Sequence, residues 1–195
     1  MSCSHLDDIS TDIRERAARI RLVGFDVDGT LTDGRLLFDS EGRELKAFHV
    51  LDGQGLVLLR KAGFEVVLVT ARHSGIAEQR GAELGLQVCT AVKDKFACVD
   101  AMRERAGLGF EQVAFMGDDL PDLPILVHAG LSVAPANAHP WIGERVHWRT
   151  KSRGGEGAAR ELCDLLLGAQ GHAAAILAEA MRQSAPLAPL AKEAT

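Results

Sequence analysis

Four short apolar runs recur along the chain, and each ends abruptly at polar or turn-forming residues. The runs cover residues 20–25, 64–69, 113–116 and 131–134. Their side chains are mostly aliphatic or β-branched, and flanking polar residues limit each run to strand length. The pattern therefore predicts four strands that are buried on both faces of a sheet.

The segments between these runs favour helices. We predict helices over residues 55–62, 74–84 and 95–106, where apolar residues at helical spacing or helix-favouring residues dominate. Gly85 and Gly107 follow the last two segments and suit helix C-caps. Strands that alternate with helices of this length predict an α/β fold with three layers, in which helices cover both faces of a parallel sheet.

One segment, residues 32–50, departs from this alternation. Two extended stretches flank the turn-forming residues 39–42, so we predict a β-hairpin that projects from the connection after the first strand. No insertion in the chain is long enough for a large cap domain.

The predicted domain covers residues 20–168. Residues 1–19 form a polar, helix-prone lead-in, and residues 169–195 form a C-terminal extension. Within that extension we predict a helix over residues 173–182 and, after it, a mobile tail rich in proline and alanine.

Composition narrows the class of protein. The chain has 195 residues, of which 47% are hydrophobic and 25% are charged, as expected for a globular protein with a real core. The net charge of −5 and the lack of a basic stripe argue against a nucleic-acid partner. We expect no membrane span, because no apolar run approaches about 20 residues. Four cysteines without a CxxC pair and a polar N-terminus predict reduced thiols and a cytoplasmic location.

Polar side chains follow three of the predicted strands. Asp26, Thr70 and Asp118 stand at the carboxyl ends, where open parallel sheets bind ligands. Asp26, Asp28 and Asp118 would lie close together, and carboxylates so crowded must take up a proton or bind a cation. A set of oxygen donors without histidine or cysteine suits Mg²⁺ rather than zinc.

This arrangement suggests phosphoryl transfer. An aspartate beside a divalent ion can attack phosphorus, which makes Asp26 the predicted nucleophile. Asp28 could protonate the leaving alkoxide and later deprotonate water. Thr70 and Lys95 would offer donors to the phosphoryl oxygens. Each of these residues seen alone could be a turn, a helix cap or a surface charge, and their ordered combination favours the functional interpretation.

The same residues resemble the four motifs of the haloacid dehalogenase-like phosphatases. The resemblance implies a Rossmann-like sheet and an aspartyl-phosphate intermediate. It also implies Mg²⁺ held by Asp26, Asp118 and the backbone carbonyl of Asp28. Supporting groups would be Asp33, Asp119 and Asp122. The motifs that carry the resemblance are residues 26–30, Thr70, Lys95 and residues 117–122.

Further segments resemble the capless phosphatases of 3-deoxy-D-manno-octulosonate 8-phosphate, which act in the synthesis of lipopolysaccharide precursors. These segments are residues 33–34, 44–48, 52–53, 70–72, 136–140 and 163–166. The resemblance implies a phosphorylated sugar acid as substrate and a homotetramer with packed hairpins, in which Leu36, Leu37 and Phe38 would contact a partner. It places the substrate near Lys46, His49, Asp52, Gly53, Ala71, Arg72 and Arg80.

The chain departs from these relatives at three positions. Leu51, Val57 and Glu156 stand at or near positions where the relatives often carry arginine. Arginine suits an anionic sugar acid. The departures therefore leave open another substrate, such as a nonulosonate 9-phosphate.

Two other hypotheses compete with hydrolysis. A receiver-like switch also uses acidic residues, threonine and lysine around Mg²⁺, but its acidic pair follows the first strand and its phospho-acceptor follows a later one. Here the order is reversed, since Asp26 comes first and Asp118 and Asp119 come last. A scaffold without activity is the third hypothesis, and it requires the intact acidic set to be vestigial.

Overall fold

The computed structural model describes residues 8–182 and contains a six-stranded parallel sheet. Its strands, in spatial order, are β5 (Gln87–Cys89), β4 (Glu65–Val69), β1 (Leu22–Phe25), β6 (Val113–Met116), β7 (Leu131–Ala134) and β8 (Trp148–Arg149). The first strand of the chain is therefore central, paired with β4 on one side and with β6 on the other.

Helices cover both faces of this sheet. The helices are α1 (Thr11–Arg19), α2 (Val50–Lys61), α3 (Gly75–Leu84), α4 (Lys95–Arg105), α5 (Leu123–Leu126), α6 (Pro140–Gly143), α7 (Ala158–Ala169) and α8 (Ala173–Arg182). Residues of α1, α2, α3 and α7 share one core cluster, and residues of α4, α5 and α6 share the other.

Residues that alternate along a strand contribute in turn to the two core clusters. In β1, Val23 and Phe25 belong to one cluster and Leu22 belongs to the other. Gly24 stands between them because Phe115 of β6 fills the space beside it. A Cβ at Gly24 would lie 2.5 Å from the Phe115 ring. The predicted three-layer α/β fold is confirmed.

The four predicted strands and the helices predicted at 74–84 and 95–106 are confirmed. Ser74 caps α3, since its Oγ accepts from the Ala77 N–H at 3.2 Å, and Gly85 ends the helix with a φ of +68°. Helix α2 begins earlier than the predicted 55, at Val50. Gly53 and Gly55 lower local helix propensity, and packing overrides that preference.

Five of these elements were not predicted: the short strands β5 and β8, the short helices α5 and α6, and helix α7. The signal for α7 is present, because Leu162, Leu165 and Leu166 recur at helical spacing and are buried. Helix α1 lies in the predicted lead-in and contributes Ile13 and Ala17 to the core. The helix predicted over residues 173–182 is α8, and the predicted proline-rich tail lies outside the described residues.

The predicted hairpin is present as a separate two-stranded sheet. Its strands are β2 (Leu37–Phe38) and β3 (Glu44–Leu45), joined by a turn in which Gly42 has a φ of +76°. The apolar side chains of both strands are exposed. Between residues 8 and 182, no helix is both long enough and apolar enough to cross a bilayer.

Candidate active site

A cleft of about 300 Å³ opens at the carboxyl ends of β1, β4 and β6. This is the edge at which the sequence placed the polar strand ends, and Thr70 follows β4 there. The cleft is lined by Asp26, Asp28, Gly34, Thr70, Ala71, Arg72, Lys95, Asp118, Asp119, Pro121 and Asp122.

Asp26 is fixed at the floor of this cleft. Its backbone N–H donates to the Met116 carbonyl at 2.9 Å, which continues the β1–β6 pairing by one residue. Its side chain is almost fully buried. Burial and the neighbouring Asp122 carboxylate raise the pKa of Asp26 well above its usual range. A buried carboxylate of this kind requires a positive partner.

Lys95, the first residue of α4, is that partner. Its ammonium is buried, contacts Asp26 and donates to Asp122 Oδ1 at 2.6 Å. Burial alone would lower the pKa of Lys95, but the charges of Asp26 and Asp122 outweigh it and raise the pKa. Lys95 is therefore a permanent cation at the floor of the cleft.

Asp122 organises the turn after β6. Its Oδ2 accepts from the N–H groups of Asp118 and Asp119 at 3.0 and 3.3 Å, while its Oδ1 accepts from Lys95. The sequence placed Asp122 among the supporting groups, and the structure shows contacts that suit such a role.

Oxygen atoms of Asp26, Asp118 and Asp122 lie within 4.8 Å of one another. Burial and the charge of Asp122 raise the pKa of Asp118 to about 6. A divalent cation between these groups would offset their repulsion, and oxygen donors suit Mg²⁺. Both Asp122 oxygens already accept hydrogen bonds, so Asp26 and Asp118 are the better ligands. The predicted ligand role of the Asp28 carbonyl stays a prediction.

Asp28 is held by two side chains from different parts of the fold. Thr70 Oγ1 donates to Asp28 Oδ2 at 3.2 Å, and the Lys46 ammonium contacts Asp28 Oδ1. Lys46 also contacts Glu44 at 3.3 Å, and Glu44 accepts from Arg72 at 2.8 Å. The hairpin thus reaches the site through Glu44 and Lys46.

Glycines bring a second loop against the loop that carries Asp26 and Asp28. Gly29 has a φ of +100°, and a Cβ there would lie 2.1 Å from Asp118 Oδ2. A Cβ at Gly154 would lie 1.8 Å from the Gly29 carbonyl oxygen. Gly155 N–H donates to the Thr30 carbonyl at 3.1 Å. Sequence reasoning missed this supporting role, although the adjacent pair Gly154-Gly155 was a possible signal for a close approach of two backbones.

The residues predicted to bind substrate separate into groups. Ala71 and Arg72 line the cleft, and Lys46 contacts Asp28. The other four border a different cavity of about 10 Å³, beside Leu31, Phe48, Leu56 and Leu84. These four are His49, Asp52, Gly53 and Arg80.

Two of these four residues, Asp52 and Arg80, contact other residues of this chain. Asp52 is buried and accepts from the N–H groups of Gly157 and Arg160 at 3.3 and 2.8 Å, so it caps α7. Arg80 lies over the Phe48 ring at 5.8 Å and pairs with Glu83. Asp33, another predicted supporting group, accepts from the Arg35 N–H in an exposed turn.

Comparisons with known proteins identify relatives in sequence and in structure. The sequence pattern of a family described as haloacid dehalogenase-like hydrolase matches residues 85–162. The 3-deoxy-D-manno-octulosonate 8-phosphate phosphatase of Escherichia coli is 42% identical over 164 residues, which are 84% of this chain and 87% of that protein.

Two solved structures are also similar. A hypothetical protein from Xanthomonas campestris has a TM-score of 0.89 at 60% identity, over 92% of this chain and 98% of its own. A 3-deoxy-D-manno-octulosonate 8-phosphate phosphatase from Moraxella catarrhalis, in complex with magnesium, phosphate and KDO, has a TM-score of 0.84 at 36% identity. That match covers 86% of this chain and 97% of the other.

We predict that Gly154→Ala destabilises the protein. Its Cβ would meet the Gly29 backbone, so the two loops must separate, at a cost of about 1–3 kcal/mol. For a domain of this size that corresponds to a fall in Tm of roughly 2–12 °C in thermal unfolding. Gly75→Ala is the matched control, because Gly75 lies in α3 with nothing within 4 Å of its added Cβ. Equal Tm values for the two variants would contradict the proposed packing.

Proposed function

The chain belongs to the haloacid dehalogenase-like hydrolases, in the family of 3-deoxy-D-manno-octulosonate 8-phosphate phosphatases, and we propose that it hydrolyses that phosphate with Mg²⁺ as cofactor. The products would be 3-deoxy-D-manno-octulosonate and inorganic phosphate. The observation that carries the proposal is the buried Asp26 carboxylate, paired with Lys95 and adjacent to Asp118 in an open cleft.

In the first step Asp26 attacks phosphorus, and the bond from phosphorus to the sugar oxygen breaks. Asp28 gives its proton to the departing alkoxide, which leaves Asp26 as an aspartyl-phosphate. Water then attacks the phosphorus, Asp28 takes the proton of that water, and the bond from Asp26 to phosphorus breaks, which frees the Asp26 carboxylate and releases phosphate. Lys95 provides fixed positive charge beside the nucleophile. When bound by Asp26 and Asp118, Mg²⁺ supplies further charge beside the phosphoryl oxygens.

The proposed sugar substrate rests on the similarity to the relatives. It also rests on where the three positions that differ from those relatives lie in the structure. Leu51, Val57 and Glu156 do not line the cleft formed by the described residues. In this chain, these three positions therefore contribute no side chain to the wall of that cleft. Arg72 lines the cleft and remains available to an anionic sugar acid once it exchanges Glu44 for substrate.

A nonulosonate 9-phosphate is the alternative substrate, which the same three departures leave open. For the octulosonate, the reaction would belong to the synthesis of lipopolysaccharide precursors. A cytoplasmic location stays a prediction.

We expect multiple turnovers of octulosonate 8-phosphate in the presence of Mg²⁺, measured as released phosphate across a panel of sugar phosphates. EDTA should reduce the rate to background, and added Mg²⁺ should restore it, because Asp26 and Asp118 would otherwise repel the substrate phosphate. A higher kcat/KM for the nonulosonate 9-phosphate would favour the alternative. A single turnover without further release would favour a switch.

Asp26→Asn should lower kcat by about 10³-fold or more, because the amide is a poor nucleophile toward phosphorus. The side chain keeps its shape, so the circular dichroism spectrum should match that of the wild type. Asp100→Asn is the control, since Asp100 pairs with Arg103 on α4 and does not line the cleft of described residues. Retained activity in Asp26→Asn would eliminate Asp26 as the nucleophile.

We also propose that the hairpins pack together in a homotetramer. Leu37, Phe38 and Leu45 expose 46%, 59% and 52% of their surfaces, although they lie side by side in one two-stranded sheet. An isolated hairpin is marginal in water, and three exposed apolar side chains on so small a sheet are typical of an interface.

The double variant Phe38→Glu/Leu45→Glu should dissociate this assembly, because it places charges in the proposed contact. Size-exclusion chromatography coupled to light scattering would measure the mass of the assembly. Val127→Glu is a control with a similarly exposed apolar residue, 58% accessible, outside the hairpin. A monomeric wild type, or a tetramer that the double variant leaves intact, would contradict the proposal.

A further inference from the structure

Both oxygens of the Asp28 carboxylate have partners. Thr70, which lines the cleft, donates to Oδ2 at 3.2 Å, and Lys46 contacts Oδ1. The two partners come from different elements, since Thr70 follows β4 and Lys46 follows β3. The carboxylate is therefore held from two directions, and its rotation about the Cβ–Cγ bond is restricted.

Lys46 is an unusual lysine. Only 2% of its side chain is exposed, and it does not belong to the cleft wall formed by the described residues. A buried ammonium is costly unless it is paired. Its two acidic partners are Asp28 and Glu44, and Glu44 is tied in turn to Arg72 at 2.8 Å.

We propose that Lys46 is a positioning residue that orients Asp28 for proton transfer to the leaving group. The proposal rests on the function proposed above. Lys46 anchors Oδ1 and Thr70 holds Oδ2, so the carboxyl group keeps one orientation relative to the departing sugar oxygen. Lys46 contacts no reacting atom and acts through Asp28. The hairpin, by carrying Lys46, becomes part of the catalytic machinery of its own subunit.

The dependence of kcat/KM on the leaving group distinguishes a positioning role of Lys46 from a merely structural one. A sugar alkoxide is a poor leaving group and needs a proton from Asp28, whereas p-nitrophenolate leaves without one. Lys46→Met keeps an unbranched side chain only one atom shorter and removes the charge. We expect it to lower kcat/KM for the sugar phosphate by about 10²-fold, the loss that a misplaced catalytic group can cause. For p-nitrophenyl phosphate we expect a loss within about threefold.

Two further variants complete the test. Lys46→Arg keeps a cation beside Asp28 and should recover part of the lost rate with the sugar phosphate. In an Asp28→Asn background, Lys46→Met should cause no additional loss, because the residue through which Lys46 acts is already disabled. Lys61→Met, at the exposed end of α2, is the control and should match the wild type with both substrates.

Several outcomes would overturn the proposal. An equal loss with both substrates would indicate a merely structural role for Lys46. A raised KM at unchanged kcat would indicate that Lys46 binds substrate. If Lys46→Met fails to fold, Lys46→Arg and Lys46→Gln allow the same comparison. An equal fractional loss of kcat/KM with the sugar phosphate and with p-nitrophenyl phosphate would again exclude a positioning role for Lys46. A wild type without phosphatase activity would instead refute the proposed function itself.

Discussion

The buried ammonium of Lys95 is the interaction on which the site depends. Carboxylates from two loops meet at one sheet edge, and their mutual repulsion would separate those loops without a cation between them. Lys95 joins Asp26 to Asp122, and Asp122 holds the backbone of the turn that presents Asp118. One charge thus fixes both the proposed nucleophile and the proposed metal ligand. It leaves a residual excess of negative charge, which is the physical reason to expect a divalent ion.

A second set of contacts supports the loop from the opposite side. The glycines at 154 and 155 allow that segment to touch the backbone of Gly29 and Thr30, and Asp52 caps the helix that follows. Helix α7 and the proposed catalytic loop are therefore parts of one packed unit. Residues far along the chain from Asp26 contribute to its geometry without contacting substrate.

The sequence predicted those features that depend on local pattern. Apolar runs identified the four inner strands, and the polar residues at their ends identified Asp26, Thr70 and Asp118 as neighbours. It could not show that Lys46 contacts Asp28, or that Asp52 caps a helix, because both depend on contacts between distant segments. Short edge strands such as β5 and β8 were also missed, since two or three residues carry too little periodicity. Helix α7 was missed although its leucines carried a readable signal.

The central position of β1 in the sheet also determines when this strand can find its partners during synthesis on the ribosome. Both neighbours of β1 are encoded later, and 69 residues separate Asp26 from its partner Lys95. At about 5–20 residues per second, the ribosome needs roughly 3–14 s to make that interval. Until β4 has been made, the apolar strand β1 has neither edge paired, and until Lys95 has been made, the acidic loop after β1 lacks this counter-charge. The nascent chain is thus most prone to aggregation early in synthesis, and its binding site is completed only after the β6 turn has been added.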